Sequence, residues 1–227
     1  MQESFSLSRL SRLSRRTWLK GVGSALLVGG VVGCTPLETT QQNTLCMGVT
    51  SRPRMLDPRK ATDALSSRIN RLLYQSLIDF DEHFQPIPAL ASWQQLSPTH
   101  YRFTLIQKPT FHHGKPLTAE DVVATYTSIL NPQFGSPHLG SLKNIQRVVA
   151  HNANQVDFHL KAADALFVGR LTIGICPADL IEQGHRFQDQ PIGSGGAEFV
   201  SMNDQKLVLK RVKDGVVLQF LPVKDAT

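Results

Sequence analysis

The sequence predicts a mixed α/β (α+β) fold with a largely antiparallel sheet, and three observations carry that reading. "YRFTLI", "QVDFHLK", "KLVLKRV" and "VVLQFLPV" alternate apolar and polar residues, the period of a half-buried strand. Segments with an apolar stripe at helical spacing fall between them, among them "SSRINRLLYQSL" and "TAEDVVATYTSIL". The late strands are joined by the short turns "MNDQ" and "VKDG", which suit hairpins, whereas parallel neighbours need a crossover of about a dozen residues or more.

A chain of 227 residues with 41% apolar content can bury the core of one sizeable domain or two small ones. The net charge is +6, but Arg9, Arg12, Arg15, Arg16 and Lys20 face only Glu3 in the first 33 residues. Most of the excess therefore belongs to the N-terminus, and it does not argue for a nucleic-acid partner.

Residues 1–33 have the layout of an export signal: a basic start, an apolar run from Gly21 to Val32, and a small residue before Cys34. The apolar run is rich in glycine and shorter than the about 20 residues that cross a bilayer as a helix, so the segment reads as one that is removed. "SRRTWLK" resembles the twin-arginine export motif through Arg15 and Arg16, with Trp18 where Phe is usual. "VVGC" resembles a lipobox, in which cleavage before Cys34 frees a cysteine whose thiol carries lipid. Acyl chains contribute about 0.8 kcal/mol per buried CH₂, so two or more give lasting attachment. The alternative is an ordinary secretory signal in which Cys34 is incidental.

Residues 34–44 form the lipidated cysteine and a polar tether, and the folded part is expected over 45–227. "LCMGV" reads as a short strand, and "SRPRMLDPRKATD" as an ordered loop with two X-Pro steps. In the helix that follows, Ile69, Leu72, Leu73 and Leu77 share a face, with Asp63 or Ser66 as N-cap. "LIDFDEHFQPIP" is a strand running into a turn, and from Trp93 onward strands dominate. Cys46 and Cys176 are too far apart in sequence to be paired by inspection, and two free thiols are the favoured reading.

"FHHGKPLTAEDVVATY" gathers His112, His113, Glu120 and Asp121. Consecutive histidines in an extended segment point to opposite faces, and no HExxH spacing is present. Gly114 and Pro116 are turn residues, and Thr118 with Asp121 forms a T-x-x-D capping box. The apolar stripe of that helix is Ala119, Val122, Val123, Tyr126 and Ile129. The segment therefore reads as a corner, with no metal and no catalytic residue. "PIGSGGAEF" has backbone N–H groups that an anion would accept, but a tight loop where segments cross fits better.

Taken in order, "LDPRKATDALSSRINRLLYQSLIDFDEHFQPIPALASWQ", "YRFTLIQKPTFHHGKPLTAEDVVATYTSILNPQFGSP", "VDFHLK", "PADLIE" and "PIGSGGAEFV" resemble the N-terminal portion of family 5 solute-binding proteins of peptide/nickel-type ABC transporters. The match runs from about Leu45 to the C-terminus. The resemblance implies a periplasmic-binding-protein-like first lobe, part of a two-lobed protein that closes over a small solute, peptide foremost, and delivers it to a membrane permease. It implies no cofactor and no covalent step, hence no enzyme. In peptide-binding members the loop after "LDP" lines the cleft, which here means Thr62, Asp63 and Ala64, and the segment after "NPxxxSP" points to His138 and Leu142. Two departures stand out: Gly196-Ala197-Glu198 replaces the usual Gly-Pro-aromatic, and "RVKDG" stands where "NPxYW" is expected. Since family members are longer, an incomplete first lobe is expected. The rival readings are a shortened, non-transporting surface lipoprotein acting as an interaction module, and an exported hydrolase using His112, His113 and Glu120.

Overall fold

A computed structural model describes residues 43–223. The expected export segment with Arg15 and Arg16, Cys34, and the expected tether up to residue 42 lie outside the described residues.

In chain order the elements are β1 (Thr44–Val49), α1 (Ala64–Leu73), β2 (Ile78–Phe80), β3 (Pro86–Pro88), β4 (Ala91–Ser97), β5 (His100–Leu105), α2 (Ala119–Leu130), α3 (Leu139–Leu142), β6 (Ile145–Asn152), β7 (Gln155–Leu160), α4 (Ala178–Glu182), β8 (Ala197–Met202), β9 (Leu207–Arg211) and β10 (Val217–Pro222). Short 3₁₀ turns cover Pro132–Phe134 and Val168–Arg170.

Where one mixed sheet was expected, the strands divide into two four-stranded sheets and a β2–β3 ribbon. The first sheet, ordered β4-β5-β7-β6, is antiparallel throughout. Its alternation is that of "YRFTLI" and "QVDFHLK": Tyr101, Phe103, Leu105, Val156, Phe158 and Leu160 are buried, while His100, Arg102 and Thr104 face outward. α2 packs on the buried face through Ala119, Val122, Tyr126 and Ile129, all fully inaccessible. Phe158 lies edge-on to both Phe103 and Tyr126, at 5.3 and 5.2 Å between ring centroids, a geometry that aromatic quadrupoles favour.

The second sheet, ordered β1-β10-β9-β8, forms its β8–β9–β10 meander through the "MNDQ" and "VKDG" turns and adds β1 in parallel to β10. It shares a separate apolar cluster with α1, in which Ile69, Leu73, Phe187, Leu207, Leu209 and Phe220 are buried.

α1 begins at Asp63, whose Oδ1 accepts from the Ser66 amide at 2.9 Å. Ser66 is not the cap: its buried hydroxyl accepts from the Arg54 and Met55 amides. The helix stops at Leu73, so Leu77 does not continue its face and instead fills the first core. Competing hydrogen bonds explain the stop. The Leu73 carbonyl accepts from the Gly195 amide at 2.9 Å, and the Gln75 carbonyl from Ile175 at 2.9 Å, while Ser76 bridges to Gly174.

Candidate functional site

The "LDPRK" loop is built around a buried ion pair. Arg59 donates through Nε and Nη2 to the Asp57 carboxylate at 3.0 and 2.8 Å, and its guanidinium lies over Phe134 and Phe187. Such a pair is costly to break, because either partner alone leaves an uncompensated buried charge. It sets the loop rigidly against α2, where Ser128 accepts from Arg59, and against Ser136, whose hydroxyl donates to the Arg59 carbonyl at 2.7 Å.

Beside that loop lies a cleft of ≈ 310 Å³. Pro58 and Ala61 form one side; Ser67, Asn70, Arg71 and Tyr74 contribute a face of α1 and its C-cap; Ser76, Phe80, His138 and Thr172–Gly174 complete the lining. Gly174 is required there, since a Cβ would stand 2.5 Å from the Tyr74 Cβ. Two buried polar atoms of lining residues have no protein partner, Asn70 Oδ1 and His138 Nε2. Arg71 is held by Asp79, whose two carboxylate oxygens both accept from its Nη2 at 2.6 Å. Burial lowers the His138 pKa from its ordinary value, against a backbone hydrogen bond at Ala61 and the charge of Asp57, which pull it up. The neutral ring is favoured, able to donate or accept.

Of the residues expected to meet a solute, His138 lines the cleft. Thr62 and Ala64 are exposed next to the lining residue Ala61, and Asp63 is occupied as the α1 cap. Leu142 is a correction to the expected geometry: at 1% exposure it is part of the first core, because α3 packs against α2 and turns it inward. The α1 face was not singled out from sequence, although Ser67, Asn70, Arg71 and Tyr74 stand at i, i+3, i+4 and i+7, the signature of one helical face. Phe80 and Thr172–Gly174 join it only through tertiary packing.

The other residues singled out from sequence make structural hydrogen bonds. Asp121 accepts from the Thr118 amide at 2.7 Å and hydroxyl at 3.1 Å, and its second oxygen from the Ala178 amide at 2.8 Å, tying the start of α2 to the start of α4. Gly114 takes a positive φ of 94° in the turn before it. His112 Nε2 faces the Gly195 carbonyl at 3.1 Å and its amide donates to the Gly193 carbonyl at 2.8 Å, while His113 lies near Asp179. The two rings thus engage different partners, and "FHHG" clamps "PIGSG". The glycines of that loop are pressed on α1: a Cβ at Gly193 would stand 2.0 Å from the Leu73 carbonyl oxygen, and one at Gly195 2.3 Å from that of Leu72. Cys46 is free and exposed, Cys176 free and buried.

The "LDPRK" loop, a face of α1 and the cleft between them thus sit on a mixed α/β frame. Residues 84–215 match the family described as "Bacterial extracellular solute-binding proteins, family 5 Middle". The chain belongs to that family. It is 27% identical over 218 residues to the glutathione-binding protein GsiB of Pectobacterium atrosepticum, covering 93% of this chain and 41% of that protein. It is 28% identical over 166 residues to the HTH-type transcriptional regulator SgrR of Escherichia coli K12, covering 71% of this chain and 29% of the regulator. The oligopeptide-binding protein AppA of Bacillus subtilis, solved with a nonapeptide, superposes with a TM-score of 0.72 at 25% identity, over 79% of this chain and 40% of AppA. The chain thus spans about two-fifths of the length of GsiB and AppA. Among the described residues no helix is long and apolar enough to cross a membrane.

Proposed function

We propose that this chain supplies the cleft-bearing part of the first lobe of an extracytoplasmic solute-binding component of an ABC importer, with a peptide as solute and the membrane permease as the partner that receives it. The observation that carries the reading is the cleft itself, walled by the "LDP" loop, the Ser67–Tyr74 face and His138, in a member of a solute-binding family. Peptide is favoured because the relatives include proteins named for glutathione and oligopeptide binding. Thr62 and Ala64, exposed and within three residues of the lining residue Ala61, would add further contacts. Capture needs no bond making, so no catalytic residue and no cofactor are assigned. Cys34, lipidated, would hold the protein at the outer face of the cytoplasmic membrane.

The test is thermal denaturation of the chain with a panel of dipeptides, glutathione, longer peptides and nickel–histidine. Ligand at 100 times Kd adds about 2.7 kcal/mol of stability, and Ser67→Trp, which sets a large ring at an exposed position of the cleft wall, removes the shift. Absence of any shift across the panel with folded protein rejects solute binding by this chain.

A second reading has one observation behind it: a segment similar to this chain also occurs in a transcriptional regulator. An interaction module of that kind would show no ligand shift and would retain a protein partner in pull-down.

A further inference from the structure

The outward face of the first sheet carries a cluster that solute capture does not use. His100 on β5 and His159 on β7 are directly paired across the strands, and their rings stack with centroids 4.2 Å apart. Asp157 stands two residues before His159 and so projects from the same face. The nearest ligand atoms of these three residues all lie within 4.8 Å of one another. His100 Nε2 is buried without an aligned hydrogen bond, although Asp157 Oδ2 is 3.2 Å away. Asp157 is itself buried on a face that is otherwise partly open, at 7% exposure.

We propose that His100, Asp157 and His159 form a site for a divalent cation of the zinc class, on the face of the sheet opposite α2. The donor set is two imidazoles and one carboxylate, the borderline combination that suits zinc, with a fourth tetrahedral position left to solvent. Zinc–ligand bonds of about 2.0–2.2 Å place neighbouring ligand atoms about 3.3–3.6 Å apart in a tetrahedron. The His100–Asp157 separation of 3.2 Å is already close to that length, and His159 closes the remainder by a rotation of its half-buried ring.

The neighbouring arginines fit this reading. Arg102 holds Asp157 through Nε and Nη2 at 2.7 and 2.8 Å. A carboxylate has about four lone-pair sites, so two remain, and the guanidinium fixes the orientation of the carboxylate as an outer-shell partner does. Arg147 Nη2 lies 3.4 Å from His159 Nε2 on an exposed side chain that is free to swing away. An ion there would pin β5 to β7 at their paired ends.

The experiment is calorimetric titration of the full chain, prepared without a histidine tag, with zinc chloride. Expected is one saturable equivalent, weakened in His100→Gln and in His159→Gln by more than the about 10–100-fold that loss of an outer-shell partner costs, and unchanged in His83→Ala, an exposed histidine elsewhere. Circular dichroism checks that the variants fold. Should they not, cobalt(II) absorption of the unaltered chain decides, because tetrahedral N/O coordination gives visible bands that octahedral aqueous cobalt lacks. No saturable binding, binding that survives both substitutions, or an octahedral cobalt spectrum overturns the proposal. Peptide stabilisation is measured separately, so failure here leaves the solute-binding reading untouched.

Discussion

His138 lines the cleft with a buried, unpaired ring nitrogen, and burial keeps the ring neutral to a lower pH than in an unfolded chain. The sign follows from linkage: below the ordinary value of about 6.5 the unfolded chain takes up the proton first. The contribution of this residue is therefore complete above about pH 6.5 and is lost as pH falls through the folded pKa. Proton NMR of the His138 ring should give a midpoint below 6.5 that falls further when a peptide occupies the cleft; a midpoint at or above 6.5 contradicts the assigned burial. His138 was reachable from the sequence by resemblance, through its place after "NPQFGSP". Leu142, chosen by the same route, was not, because four residues along a short helix decide between cleft and core, and only the packing of that helix on α2 shows which. Asn70 and Arg71 had a local signal in their helical spacing, but polar residues on one face of a helix mark solvent as readily as a site.

Among the elements, "FHHGKPLT" and "PIGSGG" turn out to be two halves of one clamp. His112 holds the Gly193 and Gly195 carbonyls, and the Gly195 amide holds the last carbonyl of α1. Gly195→Ala is expected to destabilise the protein by at least the about 1–3 kcal/mol of forcing an extra carbon into a packed site, because the atoms that a Cβ would meet are backbone. That corresponds to about 2–4 °C per kcal/mol in the melting temperature of a domain this size. Ser194→Ala, between the same glycines, removes a buried hydroxyl that has no protein partner and should leave the midpoint nearly unchanged. Equal shifts in the two melts would show that the glycines are not tightly packed. The capping box and the turn at Gly114 were legible locally, since they depend on residues three or four apart. The contact between the motifs was not, as some eighty residues separate them.

For the molecule as a whole, the testable expectation concerns where it resides. If Cys34 carries the proposed acyl chains, Cys34→Ser moves the protein from the membrane fraction to the soluble one, as their loss removes about 0.8 kcal/mol per CH₂. Replacement of Arg15 and Arg16 by Lys should retain the precursor inside the cell if export runs through the twin-arginine route; fractionation with immunoblotting reads both. An unchanged distribution of Cys34→Ser would make the cysteine incidental.

Alternation, helical stripes, capping residues and turn chemistry settled in advance that strands and helices interleave and that the strands run mainly antiparallel, because each is a short-range effect of backbone geometry and side-chain polarity. The order of motifs along the chain was enough to point to the family. Packing settled the rest: the division into two sheets, the end of α1 at Leu73 where the Gly195 amide takes its carbonyl, the cleft assembled from three distant segments, and the cross-strand meeting of His100 with His159. These depend on which distant groups satisfy each other's hydrogen bonds and fill each other's space, and no short window of sequence contains that information.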